Sequence, residues 1–164
     1  MNKKIICSFF CAALLISSIV RVHAQTAPAP AYGMSITVEP AKKAAAAAIA
    51  EARKNNWTMA IAVVDTAGNL VYFEKMDGTQ NGSVNIAVEK ARSAALFKRP
   101  TKTFQDGLAQ GGVGLRLLGL PGAVPVDGGI PIVEGGKIIG AIGASGGTSD
   151  QDGQTAQAGA NVVK

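Results

Sequence analysis

Residues 59–75, MAIAVVDTAGNLVYFEK, hold an apolar, β-branched run over 59–64, the turn Asp65-Thr66-Ala67-Gly68-Asn69, and a second strand-like run, Leu70 to Lys75, carrying Tyr72 and Phe73. β-branched and aromatic residues suit pleated, half-buried backbone, and Asp, Gly and Asn supply turn chemistry, so the stretch predicts a β-hairpin. A second hairpin is expected from Ile130 to Val133 and Lys137 to Ala144, across Gly135-Gly136. Helical signals surround both. Thr37 stands at an N-cap position, with Glu39 in the first turn and Pro40 where the amides have no intrahelical partner, ahead of alanine-rich Ala41 to about Lys54. Ser83 is expected to cap a second helix from Val84 to about Lys98, ended by Pro100, and Thr101 a short third reaching Gly107. Thr148 or Ser149 caps a last helix toward Val163. Gly111-Gly112-Val113-Gly114 and Leu120-Pro121-Gly122 read as loops around a short apolar segment. Hairpins separated by helices imply an α+β fold, with an antiparallel sheet of about five strands flanked by helices. The chain has no internal repeat.

Toward the N-terminus the pattern changes. Lys3 and Lys4 precede an apolar run from Ile5 to Val20, and Val22-His23-Ala24 carries small residues at signal-peptidase spacing. A cleavable signal peptide is therefore expected over residues 1–24, a flexible leader over 25–34 and one domain over 35–164, in a periplasmic or secreted protein with no membrane anchor after cleavage. Losing Lys3, Lys4 and Arg21 takes the 16 basic residues to 13 against 11 acids, a net charge of about +2, which does not support a nucleic-acid footprint. Cys7, Cys11 and His23, the only cysteines and histidine, also leave with the signal. The mature chain then has no disulfide, no Cys/His zinc site and no His-based triad.

That composition constrains every motif. Gly143-Ala144-Ser145-Gly146-Gly147 matches the nucleophile elbow G-x-S-x-G, but without histidine only a Ser–Lys variant through Lys137 or Lys90 remains; a tight strand-to-helix exit explains the small residues better. The glycines at 111, 112 and 114 lack the spacing of a dinucleotide fingerprint. Asp65, Asp77, Asp127, Asp150 and Asp152 suit caps and turns, with a hard-cation site as the alternative. Met76 and Asp77, followed by Lys90, Arg92 and Phe97, combine a thioether, cations and apolar surface, a mixture suited to a flat, anionic, hydrophobic ligand; the competing reading is a solvated helix face with Met76 and Phe97 in the core.

A family resemblance rests on longer blocks. VVDTAGNL (63–70), MDG (76–78), EKARSAA (89–95), GGIPI (128–132), IGAIGASGG (139–147) and Gln151-Asp152 occur in order and resemble the GlcG/HbpS family of haem-binding proteins. The resemblance implies a profilin-like fold, homo-oligomers and haem as cofactor, in a family some of whose members are linked to haem degradation or redox sensing and others to glycolate or alcohol oxidation. Carried over by position, it marks Met76, Asp77, Lys90, Arg92, Gly129 and Ser145 as ligand-site residues, while Gly153 stands where the family commonly has an acidic residue. The expected function is haem capture, with Lys90 and Arg92 meeting the propionates and apolar residues such as Phe97 holding the ring. Haem iron is usually held by His, Cys, Met or Tyr, and here Met34, Met59, Met76, Tyr32 and Tyr72 are the candidates left. Two alternatives stay open: a small-molecule enzyme or accessory protein clamping an organic acid through Arg92 or Lys90, and a non-catalytic partner of another exported protein.

Overall fold

The computed structural model describes residues 28–164. The expected signal peptide, residues 1–24, lies outside the described residues. The elements follow the order α1 (Val38–Lys54), β1 (Ala60–Asp65), β2 (Leu70–Lys75), α2 (Ser83–Phe97), α3 (Lys102–Ala109), a 3₁₀ segment (Gly112–Gly119), β3 (Gly129–Glu134), β4 (Lys137–Ser145) and α4 (Ser149–Ala160). The four strands form one antiparallel sheet in the order β2-β1-β4-β3. Both expected hairpins are present. The expected fifth strand is absent among the described residues. Beside the start of β4, past the end of β1, Ala31 to Gly33 makes a single parallel bridge, Tyr32 to Ile138, held by the Gly33 and Ile138 amides. Part of the stretch read as flexible leader is thus docked on the sheet. The Tyr32 hydroxyl also donates to Ala95 O at 2.8 Å, and the Lys98 ammonium sits 4.1 Å above its ring.

Strand alternation sorts the core into two layers. Met59, Ile61, Val63, Ile142 and Ala144 pack with the alanine face of α1 and with α4, whereas Ala60, Ala62, Val64 and Ala141 meet Ala87, Ala91, Ala94 and Ala95 of α2. The α2 face is built from small residues on both sides, so helix and sheet approach closely. At the β1–β2 turn Gly68 has φ +83°, and Asp65 holds the Ala67 and Asn69 amides at 2.9 and 2.8 Å.

The helix caps partly depart from expectation. Thr148 forms a reciprocal capping box with Gln151 at α4. Thr37 and Thr101 occupy N-cap positions without a side-chain cap bond; the Thr101 hydroxyl instead accepts the Gly129 amide at 2.9 Å. Ser83 lies inside the first turn of α2, and Gly82 is the cap residue. The last helix stops at Ala160, short of Val163. Among the described residues no helix is long and apolar enough to cross a membrane.

Candidate functional site

Lys90 and Arg92 are two residues apart on α2, which turns their side chains about 200° from one another. They cannot clamp one ligand. Ser83, Ala87, Lys90, Ala91 and Ala94 share the face against the sheet, and Lys90 is 1% exposed. Its ammonium reaches past the start of β3 to Asp152 in the first turn of α4, at 2.6 Å, and also donates to Ala144 O at 3.2 Å. Asp152 accepts the Gly147 amide at 3.0 Å as well. The expectation that Lys90 meets a propionate is corrected: a buried ammonium, partnered by Asp152 and Ala144 O, joins the two helical layers through the sheet. The periodicity of the small residues, which puts Lys90 at the centre of the inward face, is the sequence signal for this.

Gly129 and Ser145 belong to the same packing. A side chain at Gly129 would overlap the Lys90 carbonyl and Thr101, so glycine there lets β3 lie against α2. The Ser145 hydroxyl is buried and donates to the Ser83 hydroxyl at 3.2 Å, which leaves the G-x-S-x-G match without a base. Gly153 has a comparable structural reason, since a Cβ there would overlap the Asp127 carboxylate. Asp127 is 6% exposed, accepts the Gly128 amide at 2.6 Å, and its own amide donates to Gln105.

Burial pushes the Asp127 carboxyl above its ordinary 3.8, opposed by the Gly128 amide and by Lys102 and Lys90. Burial likewise raises the Asp152 carboxyl, opposed chiefly by Lys90. A raised carboxyl binds its proton more tightly folded than unfolded, so this contribution to stability is complete below pH 3.8 and is lost as pH rises through the folded-state value. Asp127→Asn keeps the acceptor for Gly128 without the charge. Its stability relative to the parent is expected to climb as pH rises from 3.8 toward neutrality, a trend that urea unfolding across a pH series would measure. A flat difference would contradict it.

The remaining candidates are dispersed. Met76, half-buried at the end of β2, packs into the α1–α4 layer, and Asp77 beside it is exposed. They adjoin the start of α2, whereas Phe97 ends it about 20 Å away. Arg92 pairs with Glu89 and donates to Gly68 O at 3.1 Å, covering the β1–β2 turn. Among the described residues no three His, Cys, Asp or Glu are grouped to hold a metal ion.

Of these residues, Phe97 lines a cavity. Beyond the C-terminus of α2, where Lys98 turns left-handed and Pro100 follows, α3 and the 3₁₀ segment fold back to enclose about 370 Å³ among Phe97, Arg99, Phe104, Arg116, Leu117, Gly119 and Leu120. Phe97 meets Phe104 edge to face, with centroids 5.3 Å apart, and the Arg99 guanidinium lies 5.8 Å from the Phe104 ring. Arg99 donates to Phe97 O, and neither Arg99 nor Arg116 has a carboxylate partner among the described residues. Val113, Leu115 and Leu118 stand 74%, 54% and 69% exposed along the same segment, so the surface around the cleft is apolar. An apolar cleft flanked by two guanidinium groups that have no carboxylate partner among the described residues suits a hydrophobic anion. Sequence reasoning missed Arg99, Phe104 and Arg116, although the run Leu115-Arg116-Leu117-Leu118, one cation inside an apolar loop, marks the spot.

The sequence model for the HbpS-like haem-degrading proteins matches residues 36–161, nearly the whole described fold. The chain belongs to this family. Protein GlcG of Escherichia coli strain K12 is 40% identical over 95 residues, spanning 58% of this chain and 69% of that protein. Among solved HbpS-like folds, the crystal structure of HbpS superposes with a TM-score of 0.73 at 34% identity, covering 80% of this chain and 92% of that one. A PduOC–haem complex superposes at 0.71 over 80% of this chain and 96% of its own; at 24% identity it speaks for the fold alone.

Proposed function

We propose that this HbpS-like protein binds haem in the cleft between the end of α2, α3 and the 3₁₀ segment. The observation that carries the reading is the combination of Phe97, Phe104, Leu117 and Leu120 with the guanidinium groups of Arg99 and Arg116, which have no carboxylate partner among the described residues. Haem presents an apolar ring and two propionates, and those are the two features the cleft complements. The residues fit the ring and its edge; for the iron, the cleft lining contains no His, Cys, Met or Tyr. Met59 is fully buried in the core, Met76 belongs to the other side of the sheet, and the Tyr32 hydroxyl is engaged with α2. Bound haem would supply the redox-active iron, and this chain's residues would supply contact area and charge. The reading includes export directed by residues 1–24, a mature domain over 35–164 of profilin-like layering, and homo-oligomers in which the apolar 3₁₀ surface is covered.

Hemin titration of the mature protein is expected to give a saturable Soret shift, weakened about tenfold by Arg116→Ala and further by Arg99→Ala, each arginine holding one charge-assisted contact. Arg92→Ala, away from the cleft, is expected to leave the affinity unchanged. No saturable shift, or equal loss in all three variants, would reject the site.

A second reading has one specific observation in its favour. The cleft volume of about 370 Å³ admits a small organic carboxylate whole, whereas haem would lie partly outside it. A tightly retained organic acid in mass spectra of the native protein, displaced by Arg116→Ala and indifferent to hemin, would select this alternative.

A further inference from the structure

We propose that Asn81-Gly82, where α2 begins, is a site of spontaneous deamidation assisted by Lys75, and that the helix N-terminus takes up the carboxylate formed. Of the asparagines at 2, 55, 56, 69, 81, 85 and 161, Asn81 alone is followed by glycine. Asn81 and Gly82 are exposed, and nothing lies within 4 Å of the place a Gly82 side chain would occupy. The Gly82 amide has no acceptor among the described residues, as expected of the first amides of a helix, and Gly82 lies within the exposed turns closed by the Ser83 amide on Gln80 O and the Val84 amide on Asn81 O. The nucleophile is therefore unpartnered and sterically open, and attack proceeds when this exposed terminal turn frays.

The electrophile is polarised. Lys75 Nζ donates to Asn81 Oδ1 at 3.5 Å, so its positive charge stabilises the oxygen on which negative charge gathers during attack on Cγ. The Gly82 nitrogen, losing its proton to solvent base, bonds to Asn81 Cγ; the Cγ–Nδ2 bond breaks and ammonia leaves. Water then opens the five-membered imide at either carbonyl, giving aspartate or isoaspartate at 81. No electrons are transferred. The product suits its surroundings, since the first turn of α2 contains no acidic residue, Gly82 offers no side-chain cap, and Lys75 is already in place as a counter-charge.

The test incubates the full chain for days in mildly alkaline buffer at physiological temperature, with peptide mass mapping. A gain of one mass unit is expected on the peptide containing Asn81, faster at higher pH, severalfold slower in Lys75→Met, and absent in Gly82→Ala, which φ −59° accommodates. Any isomerisation at the neighbouring Asp77-Gly78 would leave the mass unchanged and would not interfere. A mass gain no faster at Asn81 than at Asn69 or Asn85 would overturn the proposal, and an unchanged rate in Lys75→Met would overturn the assistance. Asn81→Asp is expected to melt about 2 °C above the parent; an equal or lower midpoint would refute uptake of the charge by the helix.

Discussion

Lys90→Met is expected to destabilise the protein by about 3–5 kcal/mol, because it leaves the Asp152 carboxylate buried beside an apolar side chain with the Gly147 amide as its remaining partner. The size follows from an asymmetry. An ion pair buried with both partners contributes little net stability, since desolvation offsets attraction, but removing one partner strands the other charge. Lys90→Met combined with Asp152→Leu should therefore be much less costly than Lys90→Met alone. Thermal unfolding followed by circular dichroism measures both. Additive losses would mean that the two side chains are not coupled and would contradict the pairing. Hemin affinity should hold in the folded fraction of Lys90→Met, which separates this structural role from the propionate contact expected at the outset.

Gly143→Ala is the second large effect, of about 3 kcal/mol or more. A methyl group at 143 would overlap the Ala87 carbonyl oxygen and stand 2.7 Å from the Ala91 amide nitrogen, so it meets α2 backbone and not a side chain able to rotate away. Overpacking a rigid contact costs about 1–3 kcal/mol and more when the backbone itself has to move. Urea unfolding would show the loss as a lower midpoint at unchanged slope. Gly136→Ala, at a φ of +75° but with nothing within 4 Å, serves as the control in which strain acts without a clash and the cost is smaller.

Local signals were enough for the elements. Two β-branched runs closed by Asp/Gly/Asn or Gly-Gly turns made the hairpins legible, and small residues ahead of periodic stretches made the helices so, with ends shifted by a residue or a few. The fifth strand has no counterpart among the described residues, and the docking of Tyr32 on β4 went unread in the leader because a single isolated bridge has no periodicity of its own. The ligand-site residues were the least legible. Met76, Asp77, Lys90, Arg92, Phe97, Gly129 and Ser145 were grouped by proximity along the chain and by family position, but helical rotation separates Lys90 from Arg92, and the length of α2 separates Met76 from Phe97.

By itself the sequence determined the α+β class, the two hairpins, the family and the absence of histidine and cysteine after residue 23, because these are properties of composition, periodicity and local turn chemistry. The tertiary structure alone decided which charges are available. Lys90 is spent on Asp152, and Arg92 on Glu89 and the β1–β2 turn, while Arg99 and Arg116, 17 positions apart, come together because Pro100 ends α2 and the 3₁₀ segment returns over Phe97 and Phe104. Burial and partnership depend on which elements pack together, and a residue's type does not encode that.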